Sequence, residues 1–135
     1  MTRFTGHTGP VTSVAFDPGE HLLLTGSADA TVRVWDLADG RCRMQLTGPT
    51  RGVGKVAWSP DGRRIAAAAM DGSVHVWDAA DGSPTPVLQA GSQPVMDVAF
   101  APDGRRLLTV TADRTVRVWG TSPAEIVRSR FEERE

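Results

Sequence analysis

Thr31-Val32-Arg33-Val34-Trp35-Asp36 alternates apolar and polar positions, and the chain returns to the pattern twice, as Ser73-Val74-His75-Val76-Trp77-Asp78 and Thr115-Val116-Arg117-Val118-Trp119-Gly120. A period of two belongs to strands. The copies are 42 residues apart with no gap, and the same spacing relates Phe16, Trp58 and Phe100, Pro18, Pro60 and Pro102, and Asp29, Asp71 and Asp113. Self-similarity at this period marks a repeat architecture whose units bury their apolar faces by stacking on one another.

Working outward, the units run about 7–48, 49–90 and 91–132. In the first, Val11 to Phe16, Leu22 to Ser27, Thr31 to Trp35 and Arg41 to Thr47 read as four strands. Turn signals separate them. Asp17-Pro18-Gly19, Ser59-Pro60-Asp61-Gly62 and Ala101-Pro102-Asp103-Gly104 follow the first strands, proline presetting a negative φ and glycine accepting a positive one. Ala28-Asp29-Ala30, Met70-Asp71-Gly72 and Ala112-Asp113-Arg114 lead into the third strands, and Asp39-Gly40 and Asp81-Gly82 turn the chain again. Ala15, Ala57 and Ala99 keep one position of the first strand small, as close flanking near the axis of a propeller requires. The expected fold is all-β: a β-propeller of three four-stranded antiparallel blades.

Composition removes several classes of function. With 15 basic and 16 acidic residues the net charge is -1, so no net field favours nucleic acid. Cys42 is the single cysteine, which leaves no internal disulfide and no thiol set for zinc. No apolar run approaches the roughly 20 residues that span a bilayer. Neither a cofactor nor a metal is implied, no membrane partner is expected, and the expected setting is cytoplasmic. Arginine outnumbers lysine 14 to 1, a bias of GC-rich coding that suggests a bacterial source.

Gly6-His7, Val11 to Phe16, Leu23 to Ser27, Asp29 and Thr31 to Asp36 together resemble one full signature of the WD-repeat family, and the likeness covers nearly the whole chain. The resemblance implies a buried hydrogen-bonded network of His, Ser or Thr, Asp and Trp, carried here by His7, Ser27, Asp29 and Trp35. In the second unit Pro49 and Ala69 replace the His and Ser, leaving Asp71 and Trp77; in the third Gly91 replaces the His, leaving Thr111, Asp113 and Trp119. The physical role is to satisfy polar groups where water is absent. A His, Asp and Ser set also fits a hydrolase, but the resemblance places it inside the blade, away from any exposed nucleophile and oxyanion hole. No enzyme is expected.

The resemblance further implies a partner-binding top face, which maps onto Pro10, Thr12 and Ala28, onto Gly52, Gly54 and Met70, and onto Pro94, Met96 and Ala112. None is charged, and the adaptable thioethers of Met70 and Met96 suit an apolar protein segment or peptide. Arg63-Arg64 and Arg105-Arg106 read as solvated turns, and His75 and His21 as exposed residues. The leading expectation is a non-catalytic protein-interaction scaffold or sensor module of a bacterial signalling protein. The alternative is a structural propeller that assembles itself.

Propellers close with about 4–8 blades, so three make an arc. The ring is then completed either by further blades in cis or by other copies, two or three closing it. Arg3-Phe4-Thr5-Gly6 aligns with Gln45-Leu46-Thr47-Gly48, which makes residues 1–6 the outer strand of a preceding blade. Glu125 to Phe131 competes for the outer place of the third blade with a one-residue slip, and Glu132-Glu133-Arg134-Glu135 reads as a charged tail.

Overall fold

A computed structural model describes residues 2–120 and the backbone of residues 130–134. The described strands are β1 (Val11–Phe16), β2 (Leu22–Ser27), β3 (Val32–Asp36), β4 (Cys42–Leu46), β5 (Val53–Trp58), β6 (Arg64–Ala69), β7 (Ser73–Asp78), β8 (Leu88–Gln89), β9 (Val95–Phe100), β10 (Arg106–Thr111), β11 (Thr115–Gly120) and β12 (Arg130–Arg134). They pair antiparallel in chain order as three four-stranded sheets. β8 is short because Pro84 and Pro86 withhold ladder donors; only the Trp77–Pro84 bridge and Thr85, bonded to the Val76 carbonyl, continue the pairing.

Local chemistry fixes the turns. Gly62 (φ 74°) and Gly104 (φ 70°) take the left-handed position after the first strands. In the first unit that position falls on Glu20 (φ 57°), one residue beyond the expected Gly19. Asp17 compensates by accepting the backbone N–H groups of His21 and Leu22. The first strand of each sheet also carries a bulge that sequence patterning did not reveal: Val11 and Ser13 pair with Ser27 and Gly26, so Thr12 is an extra residue, and Gly54 and Met96 occupy the same place in β5 and β9.

The apolar cores lie between sheets. Each sheet has a leading face toward the preceding unit and a trailing face toward the next. The trailing Leu24, Val32 and Val34 of the first sheet pack with the leading Val53, Val56, Ile65 and Trp77 of the second. The trailing Ala66, Ala68, Val74 and Val76 of the second pack likewise with Val95, Val98, Leu107 and Trp119 of the third. Contact is closest along the inner strands: β1 meets β5 and β5 meets β9, with β2 and β6 packed on the following first strand. The result is an arc of blades and no closed ring.

Leu46 and Met44 of β4 join the core around Trp77, and Leu88 joins that around Trp119. Phe4 lies edge-on to Trp35 with centroids 5.7 Å apart, in the corresponding place on the first blade. At the other end, the expected outer strand Glu125–Phe131 falls largely outside the described residues. The described strand, β12, pairs Phe131 with Val118, Glu132 with Arg117 and Glu133 with Val116. Residues 132–134 are therefore ladder residues, where a free charged tail was expected.

Candidate functional site

The first blade ties its parts together through one polar chain. Asp29, in the β2–β3 turn, accepts from the Thr8 and Thr31 backbone N–H groups and from the Thr31 hydroxyl. His7 Nδ1 lies 2.9 Å from the same carboxylate, so Nδ1 carries the proton and Nε2 is free to accept. The Thr25 hydroxyl, 2.7 Å from Nε2, donates to it and in turn accepts the Trp35 indole N–H at 2.8 Å. Burial would raise the Asp29 carboxyl, but the bonds from Thr31, His7 and Thr8 outweigh it and hold the group well below the usual carboxylate range. Phe4, His7 and the Arg33 guanidinium, 5.7 Å over the ring, enclose Trp35.

Thr25 therefore holds the place expected for Ser27. Thr25 lies opposite Arg33 and shares the leading face with Trp35, whereas Ser27, at the strand end, donates to the Pro10 carbonyl at 2.9 Å and accepts the Asp29 N–H at 3.1 Å. Ser27 closes the turn without touching His7 or Trp35. The third blade repeats the lesson: Trp119 donates to Thr109 at 3.0 Å, while Thr111 bonds Asp113 and receives Arg117. The signal was available, since Thr25 and Thr109 each lie ten residues before a Trp, on the matching strand face.

In the second blade the position that matters is then Ala67, equivalent to Thr25, more than Ala69. Trp77 is served differently. His75, expected to be exposed, is only 8% exposed and stacks on Trp77 at 5.8 Å and 20°. Its Nε2 lies 3.0 Å from the Ser73 hydroxyl, which bonds Asp71; Thr50 bonds the other oxygen of that carboxylate. Burial raises Asp71, but the Ser73 and Thr50 bonds dominate and lower it to about 2. Burial lowers His75, against a smaller pull upward from Asp71. A neutral imidazole lying over the indole thus replaces the guanidinium of the first blade.

Gly91 also differs from its expected role. Its φ of 151° matches Gly6 (147°) and Gly48 (145°), and it faces Arg117 as those glycines face Arg33 and His75. One residue inserted after β8 shifts the loop, so Ser92 takes the His position.

The residues assigned to the top face occupy one end of the sheets. Backbone bonds of 2.9, 2.9 and 3.0 Å join Ala28 to Pro10, Met70 to Gly52 and Ala112 to Pro94. Gly52 has no side chain to hold it off Ala28, since a Cβ there would lie 3.2 Å from the Ala28 Cα. Met70 is 41% and Met96 57% exposed, and Gly54 approaches the Met70 sulfur. Thr12 is less available than its neighbours: its hydroxyl donates to the Gly26 and Val53 carbonyls, bridging two blades. Among the described residues no group of three His, Cys, Asp or Glu could hold a metal, and no helix is long and apolar enough to cross a membrane.

Comparison with known proteins places this geometry. One 42-residue stretch is 45% identical to Pleiotropic regulator 1 of Homo sapiens, covering 31% of this chain and 8% of that protein. Another match, 50% identical over 42 residues, is to the Pre-mRNA-splicing factor PRP46 of Yarrowia lipolytica, covering 31% of this chain and 10% of that protein. A third, 49% over 39 residues, is to WD repeat and HMG-box DNA-binding protein 1 of Mus musculus, covering 29% and 4%. The chain thus spans a tenth or less of each relative along the match, and these eukaryotic relatives lend no support to a bacterial source. The family model "WD domain, G-beta repeat" matches residues 1–36, 40–78 and 82–120, each match ending with a third strand. Repeats of this kind imply a protein–protein interaction scaffold, and with most of its residues matched this chain belongs to the WD domain, G-beta repeat family.

Proposed function

We propose that the chain is a non-catalytic interaction module whose uncharged rim receives an apolar peptide segment of a protein partner. The observation that carries this reading is the recurrent bonding of Ala28, Met70 and Ala112, which holds the same end of every blade in register and leaves these side chains exposed. Small residues admit a backbone closely, and the thioethers of Met70 and Met96 adapt to varied side chains. The Thr25–His7–Asp29 chain has the order of a hydrolytic triad, yet Thr25 is 5% exposed and its oxygen already holds the Trp35 N–H. Such a hydroxyl serves structure, and the non-catalytic reading rests on it.

A role as the sensor or scaffold part of a bacterial signalling protein is the finer form of the proposal; the arginine-rich composition bears on the source alone. A cytoplasmic setting belongs to it. The test is selection of a phage-displayed peptide library against the chain, followed by titration of the selected apolar peptides. Ala28→Asp with Met70→Asp should abolish binding while the circular dichroism stays native; undiminished binding would remove the rim from consideration.

A further inference from the structure

The repeats differ at an interior place, where the turns after the first strands of neighbouring blades meet. Between the first and second blades this end opens as a cleft of about 330 Å³, lined by Asp17, Leu22, Trp58, Arg63, Asp78 and Ala79. A second cavity, on the first blade, adjoins it at Asp17 and Leu22. Both walls of the cleft belong to the chain, and the two turns touch: a Cβ on Gly62 would lie 3.6 Å from the Pro18 ring.

The cleft joins an indole to two incompletely used carboxylates. Trp58 spends its N–H on the Ala15 carbonyl at 3.2 Å, so its ring offers a π surface and no donor. Asp17 accepts the His21 and Leu22 N–H groups at Oδ1, and Asp78 accepts the Ala80 N–H at Oδ1; Oδ2 of each has no partner among the described residues. In the adjoining cavity Asp36 already holds the Arg43 guanidinium at 2.6 Å, so that pair is matched within the chain, while Glu20 adds a further carboxylate. Against Asp17, Asp78 and Glu20 stands one cation, the exposed Arg63, whose charge also acts on Asp61. The place keeps an excess of negative charge and is complementary to a basic group.

The next blade shows which group that is. Arg64 takes the position of Leu22, opposite Asp78 as Leu22 is opposite Asp36, and so lies on the trailing face toward the third blade, where Phe100 stands in the place of Trp58. Ser59 replaces Asp17 there and spends its hydroxyl on Asp61, and Arg64 Nη1 is buried with no hydrogen-bond partner. One interblade place holds a guanidinium without its carboxylate; the other holds carboxylates without a guanidinium. We propose that the cleft between the first two blades receives an arginine side chain of a protein partner, the guanidinium lying over Trp58 and bonded to Asp17 and Asp78. A planar cation suits this set, since it stacks on an aromatic face while its N–H groups reach carboxylates at the edge. The cleft lies at the opposite end of β2 and β6 from the rim, and the inference does not rest on the rim reading.

The probe is a short capped peptide with one arginine among alanines, titrated into the full chain while the four tryptophan indole N–H signals are followed by heteronuclear NMR. The Trp58 signal should move saturably, with half-saturation at about 1 mM, and the other three should stay still. The same peptide with citrulline, alike in shape and uncharged, should bind about tenfold more weakly. Asp17→Asn with Asp78→Asn keeps Oδ1 as the acceptor of each turn, removes both charges and should weaken binding about tenfold or more. Leu22→Arg copies Arg64 and should fill the cleft, abolishing the response; should that variant fail to fold, the asparagine pair carries the test. Ala28→Asp with Met70→Asp should leave the Trp58 response intact, so failure at the rim and failure at the cleft are read separately. A Trp58 signal unmoved at about 20 mM peptide, equal binding of the citrulline peptide, or binding indifferent to the asparagine pair overturns the proposal.

Discussion

Thr25→Val removes one oxygen and keeps the side chain's shape. Two partners lose by it: the Trp35 indole N–H at 2.8 Å and His7 Nε2 at 2.7 Å. Each buried group left without a partner costs about 1–3 kcal/mol, so the loss should be about 2–6 kcal/mol. Thr109→Val is the internal control, since Thr109 holds the Trp119 indole alone of the two groups and its blade has no His. Its cost should be about 1–3 kcal/mol by the same reasoning, half that of Thr25→Val. Urea unfolding followed by tryptophan fluorescence would read the difference; with m of about 2 kcal/mol/M, Thr25→Val should lower the midpoint by about 1–3 M and Thr109→Val by about half as much. Equal costs, or a Thr25→Val loss below about 0.5 kcal/mol, would refute the view that Thr25 is the centre of a connected chain.

Gly72→Ala should be severe, because the added Cβ would lie 2.1 Å from the Gly91 carbonyl oxygen at a residue with φ of 88°; a cost of about 3 kcal/mol or more in the same urea assay combines left-handed strain with overpacking. Gly26→Ala drives a Cβ to 2.7 Å from a Val56 methyl and 2.8 Å from a Val53 methyl, both packed in the core, and should cost about 1–3 kcal/mol while loosening the first interblade contact, seen as faster hydrogen exchange in β5. His75 is lowered from 6.5 by burial, so its contribution to stability is complete above 6.5 and is lost as pH falls below that value toward the lowered one. His75→Gln should therefore lose less stability between pH 7.5 and 5 than the wild type, the difference bounded by about 1.4 kcal/mol per pH unit; identical pH profiles would exclude His75 as the titrating group.

The repeat and its strands were legible because identical chemistry recurs at a fixed interval, and turn residues punctuate it, although the left-handed position of the first turn falls on Glu20 and not on Gly19. The register of the polar network was not. Ser27 and Thr25 share a strand face, so alternation alone does not choose between them; the ladder that sets Leu23 against Trp35 does. His75 was misplaced for a related reason. Alignment with Arg33 and Arg117 suggested exposure, but those arginines are themselves half-buried, the Arg33 guanidinium lying over the Trp35 ring, and the shorter imidazole of His75 stacks on Trp77 in the same place. The bulges at Thr12, Gly54 and Met96 leave no composition signal, since the extra residue differs in each blade.

Because the apolar clusters fill the gaps between sheets, the middle blade shares two of them and each flanking blade one. Cooperativity in such an array is a nearest-neighbour property, so the chain should fray from its flanks inward. The amides of β6 and β7 would be the last to exchange, and any ligand or copy that caps a flank would raise the melting temperature of the whole array without touching its middle.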